Sequence, residues 1–172
     1  LGIRHGKVAV VAENIALELA DDIIDVTGQI VMPGHIDTPA HLSSPFNRSV
    51  DRAYGHAMLV ESGTTTALDL AGDPTAMANG MLRRGAGLNV ASLMGLGPHS
   101  TIKEDDPDPS VIRDVIADVK KRGGIGVKLL GGYHPFTPEV SADVVKEAND
   151  QLAWVAFHVG TKDSGSDMTG LR

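Results

Sequence analysis

Lys128 sits in Gly124-Ile125-Gly126-Val127-Lys128-Leu129-Leu130, a short apolar run that reads as a buried strand. An ammonium taken into such a run must find a partner, give up its proton or acquire a chemical role, because burying the bare charge is costly. Two other strand-like runs carry imidazoles: His41, after Met32-Pro33-Gly34-His35-Ile36-Asp37, and His158, in Trp154-Val155-Ala156-Phe157-His158. Neutral imidazoles are proton carriers and metal ligands, and a neutral lysine amine is a nucleophile. Each residue alone has a plain explanation. A strand-end histidine is more often a hydrogen-bonded structural group, and a lone lysine can snorkel to solvent. Their placement at the ends of three different strands shifts the balance toward chemistry at one shared mouth.

Placing three such ends together requires alternating strands and helices. Strands are predicted at 35–41, 64–71, 88–96, 125–131 and 153–159, and helices at 50–62, 74–85, 109–122 and 138–151. Asp108-Pro109 supplies a cap and a first-turn proline before Val111, Ile112, Val115, Ile116 and Val119, which share one helical face. Lys120, Lys121 and Arg122 complement the dipole at that helix's end, and Gly123-Gly124 stops it. Thr137-Pro138-Glu139 opens the next helix in the same way. Repeated βα units with right-handed crossovers give a parallel sheet, whose chemistry gathers at the C-terminal strand ends. Residues 1–33 read differently. The stretches 3–12 and 22–33 are β-rich, with turns at His5-Gly6 and Thr27-Gly28, and are expected to form part of a small β-sandwich.

Composition narrows the function. With 42% apolar and 22% charged residues the 172-residue chain can build a folded core. A net charge of −7 argues against nucleic acid or an anionic membrane as partner. The absence of cysteine removes disulfides and thiolate metal sites, leaving His, carboxylate and modified Lys as ligands. No apolar run approaches the roughly 20 residues of a transmembrane helix. A cytoplasmic protein acting on a small molecule is the resulting expectation. Leu1 falls inside a strand pattern and Arg172 at the approach to another helix, so the chain reads as part of a longer protein.

The run Met32-Pro33-Gly34-His35-Ile36-Asp37-Thr38-Pro39-Ala40-His41 resembles the Pro-Gly-x-Ile-Asp-x-His-x-His signature that opens the barrel of the amidohydrolase superfamily. Gly63-Thr64-Thr65-Thr66 is similar to that family's second barrel strand. Lys128 on the fourth strand and His158 on the fifth follow its order, and Tyr133 lies five residues beyond Lys128. The spacing 41, 128, 158 is similar to that of the hydantoinase and dihydroorotase branch. The resemblance implies a (β/α)8 TIM barrel, represented by its first five βα units over 34–172, beside the sandwich segment 1–33.

The resemblance also implies a mechanism. Lys128, carboxylated by carbon dioxide, would bridge one or two divalent metal ions, zinc first, with His41 and His158 as further metal ligands. Tyr133 would stabilise the oxyanion, and Ser43, His99 and His134 are candidates for substrate contact. The expected reaction is hydrolysis of an amide C–N bond, in a ring such as a hydantoin or dihydropyrimidine, by a homo-oligomer. Deamination or N-acyl deacetylation on the same barrel is the alternative. So is a non-catalytic relative, because Pro39 occupies the first histidine of His-x-His and supplies no ligand. The family's strand-six histidine and strand-eight aspartate have no counterpart within these residues. Asp69, on the second strand, is a candidate for the barrel interior, where it would need an ion partner. His5 and His56 read as structural, and Asp163 and Asp167 as solvated loop residues.

Overall fold

In the computed structural model, which describes residues 1–42, 54–160, 162–163 and 165–168, the chain divides into two compact units, Leu1–Pro33 and Gly34–Arg172.

The first unit holds an antiparallel hairpin of β1 (Gly2–Arg4) and β2 (Lys7–Val10). Its two central residues, His5 and Gly6, both have positive φ, 51° and 71°. That is the primed-turn geometry matching the twist of paired strands, and it explains the expected His5-Gly6 turn. The stretch 22–33 corrects the sequence reading. It contains the Thr27-Gly28 turn, closed by the Gln29 N–H donating to the Val26 carbonyl at 2.9 Å, but no strand. Apolar β-formers alone do not make a strand. Ile24 and Ile30 are 83% and 90% exposed, and without a ladder partner or a buried face the segment stays irregular.

The second unit opens with β3 (His35–Ala40), followed by α1 (Tyr54–Glu61), β4 (Thr64–Leu70), α2 (Pro74–Arg84), β5 (Asn89–Leu96), α3 (Pro109–Lys121), β6 (Gly126–Leu129), α4 (Pro138–Asp150) and β7 (Trp154–Phe157). The five strands form one parallel sheet in the order β3-β4-β5-β6-β7. Each strand adds beside its predecessor and the order never reverses. A doubly wound sheet needs a switch point, so this sequential winding is that of a (β/α)8 barrel, of which five strands and four helices are described.

Three helices start on one device. Asp73, Asp108 and Thr137 cap α2, α3 and α4 through side-chain oxygens that accept from the N–H groups of Ala76, Ser110 and Val140, and a proline follows each. The larger core lies between the sheet and α3/α4. Ile112, Ile116 and Val119 from α3 and Val140, Val144 and Ala148 from α4 pack on Leu96, Val127 and Leu129. Each large side chain buried there contributes about 1.5–3 kcal/mol. A smaller core joins Ala40, Leu42 and Ala67 to Met77 of α2. No helix among the described residues is long and apolar enough to cross a membrane.

Candidate active site at the strand ends

The packing of β6 fixes where Lys128 points. Val127 and Leu129 are buried against α3 and α4, so by strand alternation Lys128 faces the opposite side, the barrel interior. Its register neighbours are Gly95 on β5 and Ala156 on β7. Two of the smallest side chains thus flank the long amine and leave it room. Lys128 is half-buried, and burial pushes its proton affinity below the ordinary 10.5 of a lysine. No carboxylate among the described residues pairs with it.

His158 follows directly on β7 and donates its backbone N–H to the Leu129 carbonyl at 2.9 Å. Val155 packs on the helix-side core, so Ala156 and His158 share the interior face with Lys128. Neighbouring strands and a two-residue offset put the Cα atoms of Lys128 and His158 on the order of 8 Å apart. The exposed Tyr133 ring meets His158 edge-on, with centroids 5.2 Å apart and an interplanar angle of 71°. Lys128, His158 and Tyr133 therefore gather at the β6–β7 end.

Backbone contact draws this end together. Gly131 has φ +56°, and a Cβ there would stand 2.5 Å from the His158 carbonyl oxygen. A Cβ on Gly97, just past β5, would stand 2.7 Å from the His134 Cβ. Only glycine permits both approaches, so the ends of β5, β6 and β7 close on one another. A cleft of ≈ 250 Å³ runs beside them, with Leu130, His134, Phe157 and His158 in its wall. His134 is half-buried there. His99 is exposed, with φ +57°, and its Nε2 lies 3.1 Å from Asp105 Oδ1. Asp163 and Asp167 are exposed. Ser43 lies outside the described residues.

The β3 end is built otherwise. Its register against β4 slips between His35 and Ile36 and again between Asp37 and Ala40, and Pro39 lies inside the second slip. A proline has no N–H for the ladder and is tolerated at such irregularities. Ala40 and Leu42 are buried on the helix side, and the exposed His41 projects between them toward the other face. Asp69 departs from its interior expectation. It shares the helix-facing side with Ala67, is fully buried, and accepts a hydrogen bond from the Leu42 N–H at 2.8 Å. Nothing in the sequence around Asp69 pointed to Leu42, since the pairing depends on the β3–β4 register. His56 is buried, in keeping with a structural role.

Among the described residues no three His, Asp or Glu side chains cluster as a metal site. The donor chemistry nonetheless fits a metal at the β6–β7 end: an unpaired interior amine of lowered basicity beside an imidazole on the same face. At the β3 end, of the two positions in the His-x-His pattern, His41 offers a donor and Pro39 offers none.

Comparison with known proteins agrees with this pattern. The chain is 40% identical over 70 residues to a D-hydantoinase of Geobacillus stearothermophilus, covering 39% of this chain and 15% of that protein. It is 37% identical over 65 residues to dihydroorotases of Bacillus thuringiensis and Bacillus cereus, covering 38% of this chain and 13% of theirs. The matched stretches thus span about one seventh of those relatives' length. The ochratoxinase of A. niger superposes with a TM-score of 0.49 at 21% identity, covering 77% of this chain and 44% of that one. No family model matches. The resemblance to the hydantoinase and dihydroorotase branch of the amidohydrolases is borne out over the matched stretches.

Proposed function

We propose that the chain carries part of the active site of a metal-dependent hydrolase that cleaves an amide C–N bond, in a cyclic substrate of hydantoin or dihydropyrimidine type. The observation that carries this reading is Lys128: half-buried, facing the barrel interior between Gly95 and Ala156, and depressed in basicity by desolvation. An unprotonated amine so placed can attack carbon dioxide. The N–C bond forms, an electron pair moves onto oxygen and the amine proton leaves to solvent, giving an anionic carbamate. That carbamate, His158 and His41 would hold the metal, zinc being the natural choice for imidazole and carboxylate-like donors. When bound, one or two such ions would lower the pKa of a water and polarise the substrate carbonyl.

The remaining residues supply binding and orientation. Tyr133, held against the His158 ring, presents its hydroxyl as a donor toward the oxygen on which charge develops. His134 and His99, on the loops after β6 and β5, would contact the ring substituents, together with Ser43. The relatives' names support the reaction class, and homo-oligomeric assembly is part of the same proposal.

The test is metal analysis and turnover by the full-length protein on a panel of hydantoins, dihydropyrimidines, N-acyl amino acids and aminopurines. Bound metal and hydrolysis of the cyclic amides are expected, with both lost in Lys128→Ala. Retention of metal and activity in that variant would overturn the assignment of Lys128. Pro39 favours one second reading, a non-catalytic barrel relative, and that reading stands if the wild-type protein binds no metal and turns over nothing on the panel.

A further inference from the structure

The geometry points to Asp69 as the positioning residue for His41, acting through the backbone of Leu42. The functional meaning of this inference rests on the hydrolase reading; its structural content does not. β3 ends at Ala40, so the Leu42 N–H lies beyond the ladder. Within the strand's last turn of register, Pro39 has no N–H to give, and the pairing with β4 slips. The strand tip bearing His41 is therefore short of sheet hydrogen bonds where it needs to be held.

Asp69 supplies the missing restraint. Its Oδ1 accepts from the Leu42 N–H at 2.8 Å across 27 residues of sequence, in a fully buried setting. Its Cα pairs in register with Ala40, the residue before His41. The side chains of Ala40 and Leu42 are themselves buried in the small core. His41 is thus pinned on both sides: Ala40 and Leu42 are anchored on the helix-facing side, and the Leu42 amide is tied to a carboxylate. Asp69 touches no reacting atom in this scheme. It sets the direction of the imidazole that does.

Amide hydrogen exchange and the His41 ring resonances, read by NMR on the metal-free full-length protein, test this directly. In Asp69→Ala the Leu42 amide is expected to exchange at least about tenfold faster, and the His41 resonances to shift or broaden. The ladder amides of Leu93–Leu96 should keep their protection. Asp69→Asn, which retains an acceptor oxygen, should restore most of both effects. An unchanged Leu42 amide, or equal loss of protection at Leu42 and Leu93–Leu96, would overturn the positioning role. Should Asp69→Ala not fold, Asp69→Val, a strand-compatible side chain without an acceptor, decides in its place: faster exchange confined to Leu42 supports the role, and an unchanged Leu42 amide or uniform loosening overturns it. A parallel metal titration should show weaker binding in Asp69→Ala. A wild-type protein that binds no metal sinks the hydrolase reading but leaves the exchange result to stand or fall independently.

Discussion

Tyr133 and His158 stand edge to face, 5.2 Å between ring centroids, although they belong to the ends of two different strands. The contact fixes the ring of Tyr133 without using its hydroxyl. Tyr133→Phe should therefore keep the fold and the metal content while losing the donor. The expectation is a fall in kcat of about 10²–10³, as for loss of one oxyanion donor, with KM little changed. Steady-state kinetics on the best cyclic amide checks it, and an unaltered kcat would remove Tyr133 from the chemistry.

Lys128 carries a stability signature as well as a chemical one. Its folded proton affinity is lowered by desolvation from 10.5, so in a window below 10.5 the unfolded chain binds the extra proton. Stability then rises with pH from the lowered folded value up to the ordinary lysine value, and the penalty is fully present below that window. In buffer free of carbon dioxide, the wild type should gain urea resistance relative to Lys128→Met as pH rises through that window toward 10.5. Parallel curves for the two proteins would contradict the desolvated amine.

The ion pair around Arg122 is structural. Arg122 donates to Asp73 Oδ2 at 2.5 Å and to Asp118 Oδ2 at 2.7 Å, linking the start of α2 to the last turn of α3. Burial pushes the Asp73 carboxyl up, but the Ala76 N–H and the Arg122 guanidinium outweigh it and hold it below the ordinary 3.8. Its contribution is therefore present above the ordinary carboxylate pKa and lost as pH falls through the lowered folded value. Asp73→Ala removes cap and ion pair together and should cost about 1–2 kcal/mol in urea unfolding near neutral pH. The same comparison below the folded pKa should show a smaller difference.

Pro39→His offers the sharpest gain-of-function test. It restores a donor to the β3 end, and metal bound per chain should rise by up to one ion, read by elemental analysis. No rise would mean that the register slip, not the missing imidazole, keeps a metal from that end.

Much of the fold was legible because βα units write themselves locally. The cap-proline pairs at 108–109 and 137–138 and the apolar face of α3 fall where the sequence placed them. The lysine and histidine strand ends were legible too, since a polar residue closing an apolar run is conspicuous. What escaped depends on pairing across the chain. The segment 22–33 is rich in β-formers yet finds no ladder. The side of the sheet that Asp69 occupies, and its bond to Leu42, follow from a register shifted around Pro39. The Gly97–His134 approach is likewise invisible until two loops meet.

The unreversed strand order has a kinetic meaning. Each of β4 through β7 finds one partner, its predecessor, already synthesised when it emerges, and each pairing closes a loop on the order of 30 residues. The sheet can therefore grow by accretion during translation, one βα unit at a time. His158, just past β7, would join Lys128 only after β3 through β6 are in place, so among the described strands the β6–β7 end is the last to form.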